Sequence, residues 1–128
     1  AIELKPDSYN AYFNLGNALH KKGRTSEAIS YYKSAIKLNP DFADAYNNLG
    51  AVLFNAKMTE EAIDYYKEAI RIRPGFYVAH YNLGFALFQK GEIKEAIDHY
   101  RETLKLKPDL VVAQKNLEAA LLRSEELE

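Results

Sequence analysis

The side chains best placed to act as a set are four asparagines, Asn14, Asn48, Asn82 and Asn116, each 34 residues from the next. A carboxamide carries both donors and acceptors, so a ladder of them can pair with the N–H and C=O groups of an extended peptide. Such a ladder would hold a backbone without reading side chains, each bond contributing about 0.5–1.5 kcal/mol net. Two other readings stay open: bonding to a neighbouring helix within the protein, or service as polar surface only. Asparagine is a mediocre helix former, so its fourfold recurrence favours a role. The peptide reading expects the carboxamides of Asn48 and Asn82 to be free of strong partners inside the protein. The inter-helix reading expects the opposite.

Other reactive groups do not assemble. His20, His80 and His99 have no metal-ligand spacing, and His99 with Glu95 reads as a solvated pair on one helix face. Gly23-Arg24-Thr25 lacks the lysine and upstream glycine of a phosphate loop, and no Gly-x-Ser-x-Gly elbow occurs. The absence of cysteine excludes thiolate catalysis, disulfides and cysteine-ligated zinc. The chain therefore reads as a non-enzyme with no catalytic residues, no metal and no cofactor. Lys and Arg total 17 against 18 Asp and Glu, a net charge of −1 that lacks the basic excess of a nucleic-acid binder. At 48% hydrophobic and 27% charged, with no apolar run of bilayer length, it reads as a soluble cytoplasmic protein without membrane insertion.

The elements that position the asparagines follow the same step. Pro6, Pro40, Pro74 and Pro108 are 34 apart, as are Gly16, Gly50 and Gly84, Leu15, Leu49, Leu83 and Leu117, and Ala28, Ala62 and Ala96. Within a unit, Tyr12, Leu15, Gly16 and Leu19 mark one helix face, and Ala28, Tyr32, Ala35 and Ile36 mark a second. Gly23 supplies a left-handed cap between them, Asn39-Pro40 ends the second helix, and Asp41 is placed to cap the next. Gly16 is expected to face Ala28 so that the two backbones approach closely. One hairpin cannot bury its apolar faces alone, but stacked hairpins share a continuous core.

The columns Tyr46, Leu49, Gly50, Leu53, Ala62, Tyr66, Ala69 and Pro74, with the 34-residue period, resemble the tetratricopeptide repeat signature. The resemblance implies an all-α, right-handed solenoid of antiparallel helical hairpins acting as a protein-binding scaffold. It gives repeats at 7–42, 43–76 and 77–110, the end of a preceding repeat at 1–6, and a C-terminal solvating helix at 111–128. The start at Ala1 reads as a cut through a longer array, and Ile2 and Leu4 as an apolar end open to self-association. Three columns depart from the pattern: His80 stands for Tyr12 and Tyr46, Thr103 for Ala35 and Ala69, and Lys57 for Gly23 and Gly91. Lys57 is expected to adopt a left-handed backbone.

In tetratricopeptide arrays the first helix of each unit lines a concave groove, which gives the candidate contacts by position. They are Asn10, Asn14, Asn17 and Lys21, then Asp44, Asn48 and Asn55, then Val78, Asn82, Phe85 and Gln89, and finally Asn116. The implied partner is a protein or extended peptide. The asparagine column and the phrase Tyr46-Asn47-Asn48-Leu49-Gly50 are similar to the asparagine-ladder arrays of O-linked N-acetylglucosamine transferase. That likeness implies a peptide scaffold, or the substrate-recruiting arm of a glycosyltransferase. Phe13, Phe54, Tyr81 and Phe88 are read as inter-repeat packing, and Phe85 with Val78 as an apolar anchor. The chaperone-tail clamp of related domains has counterparts in Asn17 and Asn48, but its cation columns hold Phe13, Val78 and Asn82.

Overall fold

Helix starts fall on the same step as the prolines. In the computed structural model, which describes residues 8–127, the first helices of successive units are α1 (Tyr9–Lys21), α3 (Ala43–Asn55), α5 (Tyr77–Lys90) and α7 (Val111–Glu126). The second helices are α2 (Thr25–Leu38), α4 (Thr59–Ile72) and α6 (Ile93–Leu106). No strand occurs among the described residues. The expected fragment at 1–6, with Ile2 and Leu4, lies outside them.

The turns inside the hairpins are set by three left-handed residues, Gly23 (φ +77°), Lys57 (φ +68°) and Gly91 (φ +93°). Each lets the next N–H reach back to the preceding helix, as Arg24 to Leu19, Met58 to Leu53 and Glu92 to Leu87, all at 2.9 Å. Lys57 meets the expectation for its column at the cost of a side chain in a conformation suited to glycine. Asp41 does not cap as expected: α3 has no side-chain cap, and the Phe42 carbonyl instead accepts from Ala45 N–H at 3.1 Å. Phe42, not Asp41, occupies the cap position, so the carboxylate stands one residue too early.

Packing within a hairpin turns on glycine and tyrosine rather than on glycine and alanine. A Cβ on Gly16 would lie 2.7 Å from the Tyr32 ring, and one on Gly50 would lie 2.6 Å from the Tyr66 ring. The expected partner Ala28 is fully buried, but the tyrosine one turn later occupies the space. Ala28, Tyr32, Leu49, Leu53, Ala62, Tyr66, Leu83, Ala96 and Tyr100 form one core through all three units. Along the array α1 touches α3, α3 touches α5 and α5 touches α7, whereas α2, α4 and α6 do not touch one another. Closer approach on the first-helix side makes that side the inner face of the curve.

One substitution in the pattern acquires a physical account here. Thr103 is fully buried in the alanine column, and its Oγ1 donates to the His99 carbonyl at 2.7 Å, so no polar atom is orphaned. On α7, Val111, Val112 and Leu122 are at least half exposed, as is Leu127 just after it.

Candidate functional site

The residue following each glycine column decides where the next asparagine bonds. Asn17 Oδ1 accepts from Tyr32 Oη and from Asn48 Nδ2, the latter at 2.9 Å. At the same column repeat two has Ala51, and Asn82 Nδ2 turns to Asn47 Oδ1 at 3.0 Å. Repeat three has Phe85 there, and Asn116 Nδ2 donates to Tyr81 Oη at 2.7 Å. The expectation that Asn48 and Asn82 would lack internal partners is therefore corrected. Adjacent first helices lie close enough for each amide nitrogen to reach the unit before it. The bonds leave Asn82 Oδ1 and Asn116 Oδ1 without a partner among the described residues, and Asn48 Oδ1 accepts only a long 3.5 Å contact from Asn47.

Of the remaining stripe residues, Asn10, Asn14, Lys21, Asn55 and Gln89 are exposed. Asn55 Nδ2 lies 3.4 Å from His20 Nε2 of the preceding unit. With Gln89 and Phe54 it borders a shallow recess of about 250 Å³. Asp44 is held by Arg73, which donates from Nη1 and Nη2 at 3.2 and 3.3 Å and also lies over the Phe76 ring. Val78 is 37% exposed and Val112 50% exposed, so the far half of the stripe is apolar where the near half is amide-rich. Phe85 is half-buried and packs edge-on against Phe54 with ring centres 5.6 Å apart. Phe13, Phe54, Tyr81 and Phe88 pack against the core. A larger recess of about 430 Å³ lies away from the stripe, between the start of α6 and the end of α7.

The tyrosines behind the groove are strongly desolvated. Burial pushes Tyr32 up, offset in part by its hydrogen-bonded amide neighbour Asn48, and pushes Tyr66 and Tyr100 up further. All three stay neutral donors under ordinary conditions.

Repeat three carries a pair that the sequence alone does not reveal. His80 is buried, with Nε2 3.0 Å from the Pro74 carbonyl and Nδ1 3.1 Å from Nδ1 of His99. The carbonyl can only accept, so His80 Nε2 bears the proton, and its Nδ1 accepts from His99 Nδ1–H. This pair replaces the ring pairs Tyr12–Tyr31 and Tyr46–Tyr65. Burial, then the neighbouring His80, holds His99 below the usual histidine range. The visible signal was that His99 falls in the Tyr31 and Tyr65 column.

A tetratricopeptide repeat family model matches residues 43–76 and 77–110, and further repeat models match 16–56 and 1–30. No curated protein matches the chain. Among solved structures, the first tetratricopeptide domain of Spaghetti (RPAP3), bound to the HSP90 peptide SRMEEVD, is similar with TM-score 0.92. It shares 22% identity over 98% of this chain and 99% of that one. MamA is similar with TM-score 0.89 and 27% identity over 94% of this chain and 71% of its own. The Arabidopsis OM64 domain has TM-score 0.86 and 25% identity over 89% and 94%.

Proposed function

The chain belongs to the tetratricopeptide repeat family, and we propose that it is a scaffold holding an extended segment of a partner protein against α1, α3, α5 and α7. One observation carries this reading. The inner face sets a row of amide oxygens, at Asn48, Asn82 and Asn116, beside the exposed side chains of Val78 and Val112. With their nitrogens committed to the preceding unit, the ladder amides are fixed in orientation and act as acceptors for backbone N–H groups of the ligand. Fixed groups lose little freedom on binding, which favours affinity. The valines take apolar side chains at one end of the segment.

That an array of this shape accommodates a peptide is supported by the Spaghetti domain, which is similar in fold and bound to an HSP90 peptide. The clamp for such acidic tails is not carried over, because Phe13, Val78 and Asn82 stand where it needs cations. To test the reading, a random peptide library is selected on the wild-type chain, and the recovered peptide is titrated into Val78→Glu plus Val112→Glu. Affinity should fall at least about tenfold with an unchanged melting temperature, since both valines are exposed. Unchanged affinity would place the ligand elsewhere.

A second reading, self-assembly, rests on the exposed Val111 and Leu122 of α7 and Leu127 just after it. Sedimentation that depends on concentration and is abolished by Leu122→Glu would favour it.

A further inference from the structure

The three buried tyrosines that fill the glycine gaps differ in what becomes of their hydroxyls. The Tyr32 ring lies 2.7, 2.7 and 3.1 Å from the Cβ position of Gly16, measured at Cδ1, Cε1 and Cζ. The Tyr66 ring lies 2.7, 2.6 and 3.1 Å from that of Gly50 at the same atoms. The two rings thus sit alike on their own first helices, and their hydroxyls emerge beside equivalent residues. Tyr32 Oη finds Asn17 Oδ1 there. At the column of Asn17, repeat two has Ala51, whose methyl group can neither accept a proton nor fill the room of an asparagine.

Tyr66 is 3% exposed, and its hydroxyl has no hydrogen-bond partner among the described residues. Yet no side-chain polar atom sealed from solvent is left unsatisfied among them. The Tyr66 hydroxyl therefore keeps some exposure to solvent, and the equivalence of the two rings puts Ala51 at the position beside it. The Tyr100 hydroxyl likewise has no hydrogen-bond partner among the described residues, but the bulkier Phe85 stands at that column in repeat three, so the room left by a small side chain belongs to repeat two. Burial raises the Tyr66 phenol, with no hydrogen bond to offset it, so the group at the base of the gap is a neutral donor.

We propose that the gap at Ala51, with Tyr66 Oη at its base and Asn82 Oδ1 at its side, is a subsite for a primary carboxamide, an asparagine or glutamine side chain of the bound segment. The proposal rests on the groove reading above. The carboxamide oxygen accepts from Tyr66 Oη, and its NH₂ group donates to Asn82 Oδ1, which is left open because Asn82 Nδ2 is committed to Asn47. A carboxylate of the same shape would set its second oxygen against the amide oxygen. The surrounding stripe residues Asp44, Asn48 and Asn55 supply no cation to balance it. The ladder holds backbone; this gap reads one side chain.

The experiment uses the peptide recovered from the library, resynthesised with each position in turn as glutamine, asparagine, glutamate or alanine. At one position an amide should bind about tenfold more tightly than glutamate or alanine, as two hydrogen bonds allow. Tyr66→Phe removes only an unpartnered hydroxyl and should abolish that preference while leaving the alanine form's affinity unchanged. Ala51→Asn rebuilds the repeat-one arrangement, closes the gap and should do the same with the melting temperature kept. A peptide that binds the groove, as judged by loss in the Val78→Glu plus Val112→Glu chain, but has no amide-preferring position overturns this inference alone. So does a preference that survives both Tyr66→Phe and Ala51→Asn. A library that yields no groove-dependent peptide overturns the groove reading and this inference together.

Discussion

The joint between repeats one and two and the joint between repeats two and three use the same amide column with different wiring. In the first, Asn48 and Tyr32 converge on Asn17 Oδ1, so the tyrosine hydroxyl is paired. In the second, Ala51 removes that hub, Asn82 moves to Asn47, and Tyr66 is left without a partner. A periodic residue thus keeps its position on the helix while its bond is chosen by a neighbouring column that varies. The first joint is built for cohesion. The second has given up one bond, and the Tyr66 hydroxyl left without a partner is the group the proposed subsite would use.

The largest effect should come from the feature both joints share. Gly50→Leu puts a side chain where Tyr66 lies 2.6 Å away, and overpacking there should cost at least about 1–3 kcal/mol. A melting temperature equal to wild type would refute the ring-on-glycine packing. Next, Asn48→Ala combined with Asn82→Ala should lower stability by about 1–3 kcal/mol, because both amides bridge units and the buried Asn47 loses its donor. Denaturant titration with no shift in midpoint would mean that the bridges contribute nothing. The comparison sharpens if Asn48→Ala alone also alters the environment of Tyr32, read from its fluorescence or ring resonances.

Smaller changes test the variant columns. Lys57→Gly should be neutral or stabilising by up to about 1 kcal/mol, since it relieves a side chain at φ +68°. A clear loss in melting temperature would contradict that strain. The histidine pair gives a pH dependence. His99 is held below its ordinary value of 6.5 in the fold, so near and below that pH the unfolded chain binds more protons than the folded one. Stability should therefore be full above about pH 6.5 and decline as pH falls through the folded value. The groups around His99 are His80 from α5, Glu95 and Asp98 from α6 and Lys67 from α4, with burial and His80 outweighing the acids. His80→Tyr with His99→Tyr restores the ring pair of the other repeats and should remove this dependence. A slope that persists would assign it elsewhere.

The helix starts were legible from the sequence because prolines and left-handed turns act locally: the proline and glycine columns fix where each chain segment must stop. Lys57 could be read for the same reason, its column specifying a backbone conformation whatever the side chain. Orientation of the asparagine amides was not legible. It depends on whether the partner column holds Asn17, Ala51 or Phe85, and on the gap between helices 31 to 35 residues apart in sequence. The histidine pair was missed because each residue departs from its column separately, and only their contact gives the departures a common reason. Asp41 misled because an acidic residue after proline resembles a cap when its register is off by one.

The central claim is that an extended segment lies on the inner face, along the amide column. It is tested most directly by NMR of side-chain carboxamide resonances during titration with the library-selected peptide. The account predicts that the Asn48, Asn82 and Asn116 NH₂ signals shift with a common saturation, together with the methyl groups of Val78 and Val112. Backbone amides on the outer helices α2, α4 and α6 should stay in place. Saturating shifts confined to α2, α4, α6 or the exposed face of α7, with the three carboxamides unmoved, would contradict it.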